Sequence, residues 1–156
     1  MNQSGQCLCG SVQFKVVGAQ MMFSALCHCR ACARARGMSP VHLVGVPVSS
    51  FHIVEGESFV RETEGRGRMI HGFCSKCGAG LYQAPKDASF RALFPTSFQI
   101  QCGEEGKCCM LPSEYLPTLH VNYENRLFDW HDQLPKYKES KSAGIRVNNE
   151  GEVITD

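Results

Sequence analysis

The chain has 156 residues and a formal net charge of +1, with 16 Lys and Arg set against 15 Asp and Glu. That length accommodates one domain with its own core, and the interspersed charges give neither the basic face that nucleic acid requires nor a polybasic run for a membrane surface. No apolar run approaches the roughly 18 residues of a membrane span. The opening MNQSGQ lacks the basic and apolar regions of a secretory signal. With ten cysteines and no such signal, the expected location is the cytoplasm, where thiols stay reduced or bind metal.

In chain order the predicted elements are mostly strands. CLCG opens the pattern with Cys7 and Cys9. Val12, Phe14 and Val16 then alternate with Gln13 and Lys15, the period of a half-buried strand. CHCRAC supplies Cys27, Cys29 and Cys32 and runs into a short helix over residues 30–36, rich in Ala and Arg and stopped by Gly37. The cluster therefore sits at a helix start, where free N–H groups favour thiolates. Further strands are predicted over residues 41–46, 51–54, 59–63 and 69–73, divided by Gly, Pro, Ser or charged turns. FCSKCG follows with Cys74 and Cys77, and residues 90–94 and 119–123 read as strands too. From about Lys138 the chain turns polar, so the expected organisation is one zinc-binding domain over residues 1–137 and a loosely docked or disordered tail over 138–156.

Seven of the cysteines fall into these three clusters, and thiolates two or three residues apart can point at one centre. Seven divides as four plus three. Four ligands close a structural zinc site, and three leave a position open for water or substrate. Cys7 and Cys9 precede the first predicted strand while Cys74 and Cys77 follow a later one, so joining them ties distant parts of a sheet together. Gly78 and Gly80 are expected to let backbone N–H groups approach the sulfurs. Cys27, Cys29 and Cys32 remain either an open metal centre or a set of core and redundant thiols. His28 is expected beside the metal or at the surface, because sequence neighbours rarely both reach one ion. A disulfide framework is disfavoured, since C-x-C cysteines pair poorly with each other.

Other groups carry weaker signals. Cys102, Cys108 and Cys109, in a Gly- and Glu-rich stretch, are expected to be loop thiols. HVNYENRLFDWHD gathers His120, Asp129, Trp130, His131 and Asp132; it could place a general base near the metal, though its start alternates as a strand edge does. Trp130 is expected to anchor a core. Arg34, Arg36, Arg66 and Arg68 could grip carboxylates or serve only as surface charge.

CLCGSVQF, CHCRAC and FCSKCGAGLY, in that order, resemble the glutathione-dependent formaldehyde-activating enzyme and centromere protein V family, and PTLHVNYENRLFDWHDQLPKY resembles its C-terminal portion. The resemblance implies a small, mainly β, zinc-containing "tent" of short antiparallel sheets with one short helix. It implies a structural zinc on Cys7, Cys9, Cys74 and Cys77 and a catalytic zinc on Cys27, Cys29 and Cys32. The implied activity is that of a carbon–sulfur lyase, adding a small thiol such as glutathione to a small carbonyl such as formaldehyde, or releasing it. Residues 90–111 depart from the family pattern. The alternative implied by centromere protein V is a non-catalytic zinc module that binds protein partners.

Overall fold

In a computed structural model of the chain, residues 1–65, 69–100 and 110–155 are described. Among them are twelve strands: β1 (Gln3–Gln6), β2 (Gln13–Val16), β3 (Phe23–Cys27), β4 (Val41–Pro47), β5 (Phe51–Glu55), β6 (Val60–Glu64), β7 (Met69–Cys74), β8 (Gly80–Pro85), β9 (Phe90–Leu93), β10 (Leu119–Val121), β11 (Lys136–Tyr137) and β12 (Arg146–Val147). One α-helix, α1 (Arg30–Arg36), accompanies them. The mainly β class with one short helix is the architecture the resemblance implies. None of the described helices is long and apolar enough to cross a membrane.

The chain packs as two compact units, one built from residues 1–23 and 44–116, the other from 24–43 and 117–156. In the first, β2 pairs antiparallel with both β1 and β5, and β4, β9, β8, β7 and β6 pair antiparallel in that order. β2 shows the expected alternation, with Phe14 and Val16 buried and Lys15 exposed. β8 shows none, because Leu81, Tyr82, Gln83 and Ala84 are all buried; a strand covered on both faces has no period for a sequence to display. The core gathers Val12, Phe14, Val16, Val44, Val46, Leu81, Leu93 and Phe98. Phe51 bridges the two ladders, its ring 5.3 Å from Phe14 and 5.3 Å from Tyr82.

The second unit departs from the expected antiparallel pattern. β10 runs parallel to β3, with Leu119 opposite Ala25 and Val121 opposite Cys27, and parallel to β11 at His120 and Lys136. Parallel neighbours need a long connection, and the chain supplies one in each case, leaving β3 for the other unit and looping over residues 122–135 before β11. The strand expected over 119–123 stops early because Asn122 takes a left-handed φ of 54°, which an Asn tolerates better than most residues. The polar stretch after Lys138 carries β12, antiparallel to β11, with Val147 buried. Tyr123 fastens that stretch: its hydroxyl donates to the Asn149 carbonyl at 2.7 Å and accepts from the Trp130 N–H at 2.7 Å.

Phe14 is 1% exposed beside the rings of Phe51 and Phe98, whereas Val54 on β5 is 51% exposed. Phe14→Ala should therefore lower unfolding free energy by about 3–5 kcal/mol, and Val54→Ala should stay within about 0.5 kcal/mol, measured by urea denaturation.

Candidate metal centres

Two sulfur clusters form, one in each unit. Cys7, Cys9, Cys74 and Cys77 bring their Sγ atoms within 4.8 Å of one another, as do Cys27, Cys29 and Cys32. All are free thiols. Among the described residues no fourth Cys, His, Asp or Glu joins the second group. Cys102, Cys108 and Cys109 lie outside the described residues, as do Arg66 and Arg68.

The four-cysteine cluster is held by two turns, each closed at a left-handed glycine, one three residues and the other four residues after its first cysteine. After Cys9, Gly10 takes φ 73° and its N–H returns to the Cys7 carbonyl at 3.1 Å; after Cys77, Gly78 takes φ 73° and its N–H returns to the Cys74 carbonyl at 2.8 Å. The left-handed glycine closes each turn without a steric penalty. Gly78 thus binds a carbonyl rather than a sulfur, and the donors to sulfur come from elsewhere. The Val12 N–H reaches Cys7 Sγ at 3.3 Å. Ser11, through its hydroxyl and its N–H, pulls the Cys9 thiol down to about 6, and the Ala79 N–H lowers Cys77. Burial pushes Cys7 up to about 11.

In the three-cysteine cluster β3 ends at Cys27, Cys29 caps α1, and Cys32 lies on the helix's buried side. The Cys32 N–H donates to Cys29 Sγ at 3.3 Å, and Asn122 Nδ2 donates to Cys27 Sγ at 3.6 Å. Hydrogen bonds from Cys27, then Cys32, draw the Cys29 thiol far below its ordinary range, while Cys27, bonded to Cys29, rises to about 11 and Cys32, bonded to Cys27, rises further. Three adjacent thiolates repel, and a divalent cation would relieve that repulsion.

The donor set fits zinc. Tetrahedral coordination with Zn–S near 2.3 Å sets neighbouring sulfurs about 3.8 Å apart. Cys7 and Cys9 Sγ are 3.6 Å apart, and Cys27 and Cys32 Sγ are 3.7 Å apart. Both clusters could bind metal ions.

Around the second cluster lies a buried polar chain that the spacing of residues does not announce. His28 Nε2 and His120 Nδ1 are 2.8 Å apart, and His120 Nε2 is 2.9 Å from Asp132 Oδ2. Lys136 Nζ donates to Asp132 Oδ1 at 2.6 Å and to the Leu134 carbonyl at 3.1 Å. His28, His120 and Lys136 are all buried. His120 therefore faces another imidazole rather than a sulfur. Burial lowers His28 to about 4 and lowers His120 despite its carboxylate neighbour. Asp132 opposes its own burial with the Lys136 and His120 bonds and stays below the ordinary range. Asp129 pairs with Arg126 at 2.7 Å instead, His131 is exposed, and Trp130 is half-buried, stacked on Phe128. Arg34 is exposed on α1. The sequence reading missed Asn122 and Lys136; the nearest signal was their place in HVNYEN and LPKY.

A family model described as "Glutathione-dependent formaldehyde-activating enzyme" matches residues 2–106, a span that holds all seven clustered cysteines. The chain belongs to that family. The crystal structure of a Rhodobacter sphaeroides protein is similar in fold, with a TM-score of 0.51 at 20% identity over 62% of this chain and 87% of that one. Membership of the formaldehyde-activating family supports a function related to glutathione and formaldehyde.

Two outcomes follow from this geometry. Structural zinc in small domains contributes on the order of 10 kcal/mol to folding, so Cys74→Ser should give unfolded or insoluble protein, while Cys29→Ser should keep its fold and lose one ion, by circular dichroism and metal analysis. At pH 6, below the ordinary histidine value of about 6.5, His28, lowered to about 4, should remain neutral, as read from imidazole 15N shifts. Because the unfolded chain binds this proton and the folded one does not, His28 removes stability as pH falls through that window.

Proposed function

We infer that the chain is a zinc-dependent carbon–sulfur lyase-type enzyme of the cytoplasm, joining a small thiol such as glutathione to a small carbonyl such as formaldehyde, or releasing it. The reading has Cys7, Cys9, Cys74 and Cys77 hold a structural zinc and Cys27, Cys29 and Cys32 hold a catalytic one. The observation that carries it is the difference between the clusters: four sulfurs complete a tetrahedral shell, and three leave room for a substrate atom.

When bound, the second ion would supply a Lewis-acidic position that lowers the pKa of an incoming thiol. The protein's own groups set the conditions for it. Asn122 Nδ2 and the Cys32 N–H donate to two of the three sulfurs, drawing off part of their negative charge so that a further thiolate is better tolerated beside them. Cys27 and Cys32 are buried and Cys29 is half-buried, so approach to the cluster is from the Cys29 side. The reaction is an addition. The thiol gives up its proton, its sulfur bonds the carbonyl carbon, and the carbonyl oxygen takes a proton; no electrons are gained or lost. Held beside the thiolate, the carbonyl needs little further activation, because orientation lowers the barrier of a step that already proceeds in water.

Cobalt-substituted protein tests the reading. Glutathione should intensify the thiolate-to-metal charge-transfer absorption as a fourth sulfur joins three, and the protein should speed formaldehyde–thiol exchange. An unchanged spectrum at saturating glutathione, with no acceleration, would favour the non-catalytic protein-binding module.

A further inference from the structure

We propose that Asp132 and Lys136, acting through His120 and His28, position the three-cysteine centre: they form a buried strut that fixes the Cys27–Cys29 span. The inference rests on the reading that these cysteines hold a metal, and it assigns a task to residues that lie beyond the segment the family model matches.

His28 is the single residue between Cys27 and Cys29, so whatever fixes His28 fixes the separation and direction of both thiols. It is held at two points. Its N–H donates to the Val121 carbonyl at 3.0 Å, and its ring meets His120 at 2.8 Å. The hydrogen-bond directions are forced from the far end. Lys136 is a buried cation whose ammonium is satisfied by Asp132 Oδ1 and by the Leu134 and Asp132 carbonyls. Asp132, ionised by that partner, can only accept, so His120 Nε2 donates to it. A neutral His120 then has a lone pair at Nδ1, and His28 must donate from Nε2. Each bond in the chain has one direction, and the His120 ring cannot flip without breaking two of them. The Tyr123 ring closes the side, with its centroid 4.9 Å from that of His28 and 5.7 Å from that of His120.

Folding alone does not call for this arrangement. A buried ion pair with its attached polar groups is often no more stabilising than apolar side chains of the same volume. What a fully satisfied buried network does provide is a single geometry, and here that geometry ends on two metal-binding thiols. Partners that orient ligands in this way typically change metal affinity about 10–100-fold when removed.

The test titrates metal-free protein with Co2+ and follows both ions. His120→Gln keeps a donor for Asp132 but loses the acceptor for His28; His120→Asn keeps the acceptor for His28. In His120→Gln the second ion should bind at least about tenfold more weakly, with shifted d–d bands, while the first binds as in wild type. His120→Asn should restore much of the second ion's affinity. A purely structural role would lower thermal stability in both variants and leave the second ion's spectrum unmoved. In wild-type protein the His120 Nε2–H resonance should shift on the second equivalent of metal and not on the first, a measurement that needs no variant. Unchanged affinity and spectrum in a folded His120→Gln, or an unmoved His120 resonance, overturns the strut and leaves the metal reading standing. A wild-type protein that takes only one ion overturns the metal reading, and the strut with it.

Discussion

Thiolates repel one another, and a metal centre made of sulfur must hold them together before a cation neutralises them. That constraint shapes this chain. At the four-cysteine cluster the holding is done by backbone: two turns, each closed by a left-handed glycine, aim two sulfurs apiece while Ser11, Val12 and Ala79 offer hydrogen bonds. At the three-cysteine cluster there is one strand end and one helix cap; the backbone N–H groups of Cys29, Ala31 and Cys32 act on its sulfurs, and the Asn122 side-chain amide donates to Cys27. The second cluster is braced by side chains as well as by backbone.

This division explains what could be read in advance. Ligand spacing is local, so the grouping of Cys7, Cys9, Cys74 and Cys77 and of Cys27, Cys29 and Cys32 is visible in the motifs, and the helix from Arg30 to Arg36 is visible in its composition and its stop at Gly37. β2, β4, β5, β6, β7, β9 and β10 lie within a residue or two of the expected strands because each carries an alternating or bounded apolar pattern. β1 is too polar and β3 and β8 too uniformly buried to show a period. The parallel pairing of β10 is set by which strands meet in space, and no local pattern encodes that. The His28–His120 contact joins residues 92 apart, and Lys136, read alone, is one more cation in a polar stretch.

Histidine and aspartate near the end of the chain could have been a general base, a strand edge or a surface. Burial separates these. An imidazole held neutral between a carboxylate and a second imidazole, with no water-facing side, is committed to the network it completes. The same burial makes the network sensitive: deleting Asp132 leaves Lys136 an unpaired buried charge, a loss of about 3–5 kcal/mol in comparable pairs. Conservative changes at His120 are more informative than alanine for this reason, because they cut one bond and spare the charges.

Register ties these observations together. Side chains alternate across a strand, so sliding β10 by one residue against β3 would carry His120 away from His28 and bring Leu119 or Val121 to face it. A short parallel strand with three paired residues has little of its own to prevent such a slip, since parallel pairing is slightly weaker per residue than antiparallel. The polar chain resists it, because in another register the buried His28 ring would lose His120 and Asp132 Oδ2 would lose its imidazole donor. Thr118 adds a second pin, its N–H and its hydroxyl both donating to the Ser24 carbonyl at 3.0 Å. The register fixed by these bonds also places Asn122, one residue beyond β10, beside Cys27. The interaction that aligns the strand and the interaction that reaches the sulfur are therefore consequences of the same pairing, so the geometry of the three-cysteine cluster depends on residues more than 80 positions further along the chain.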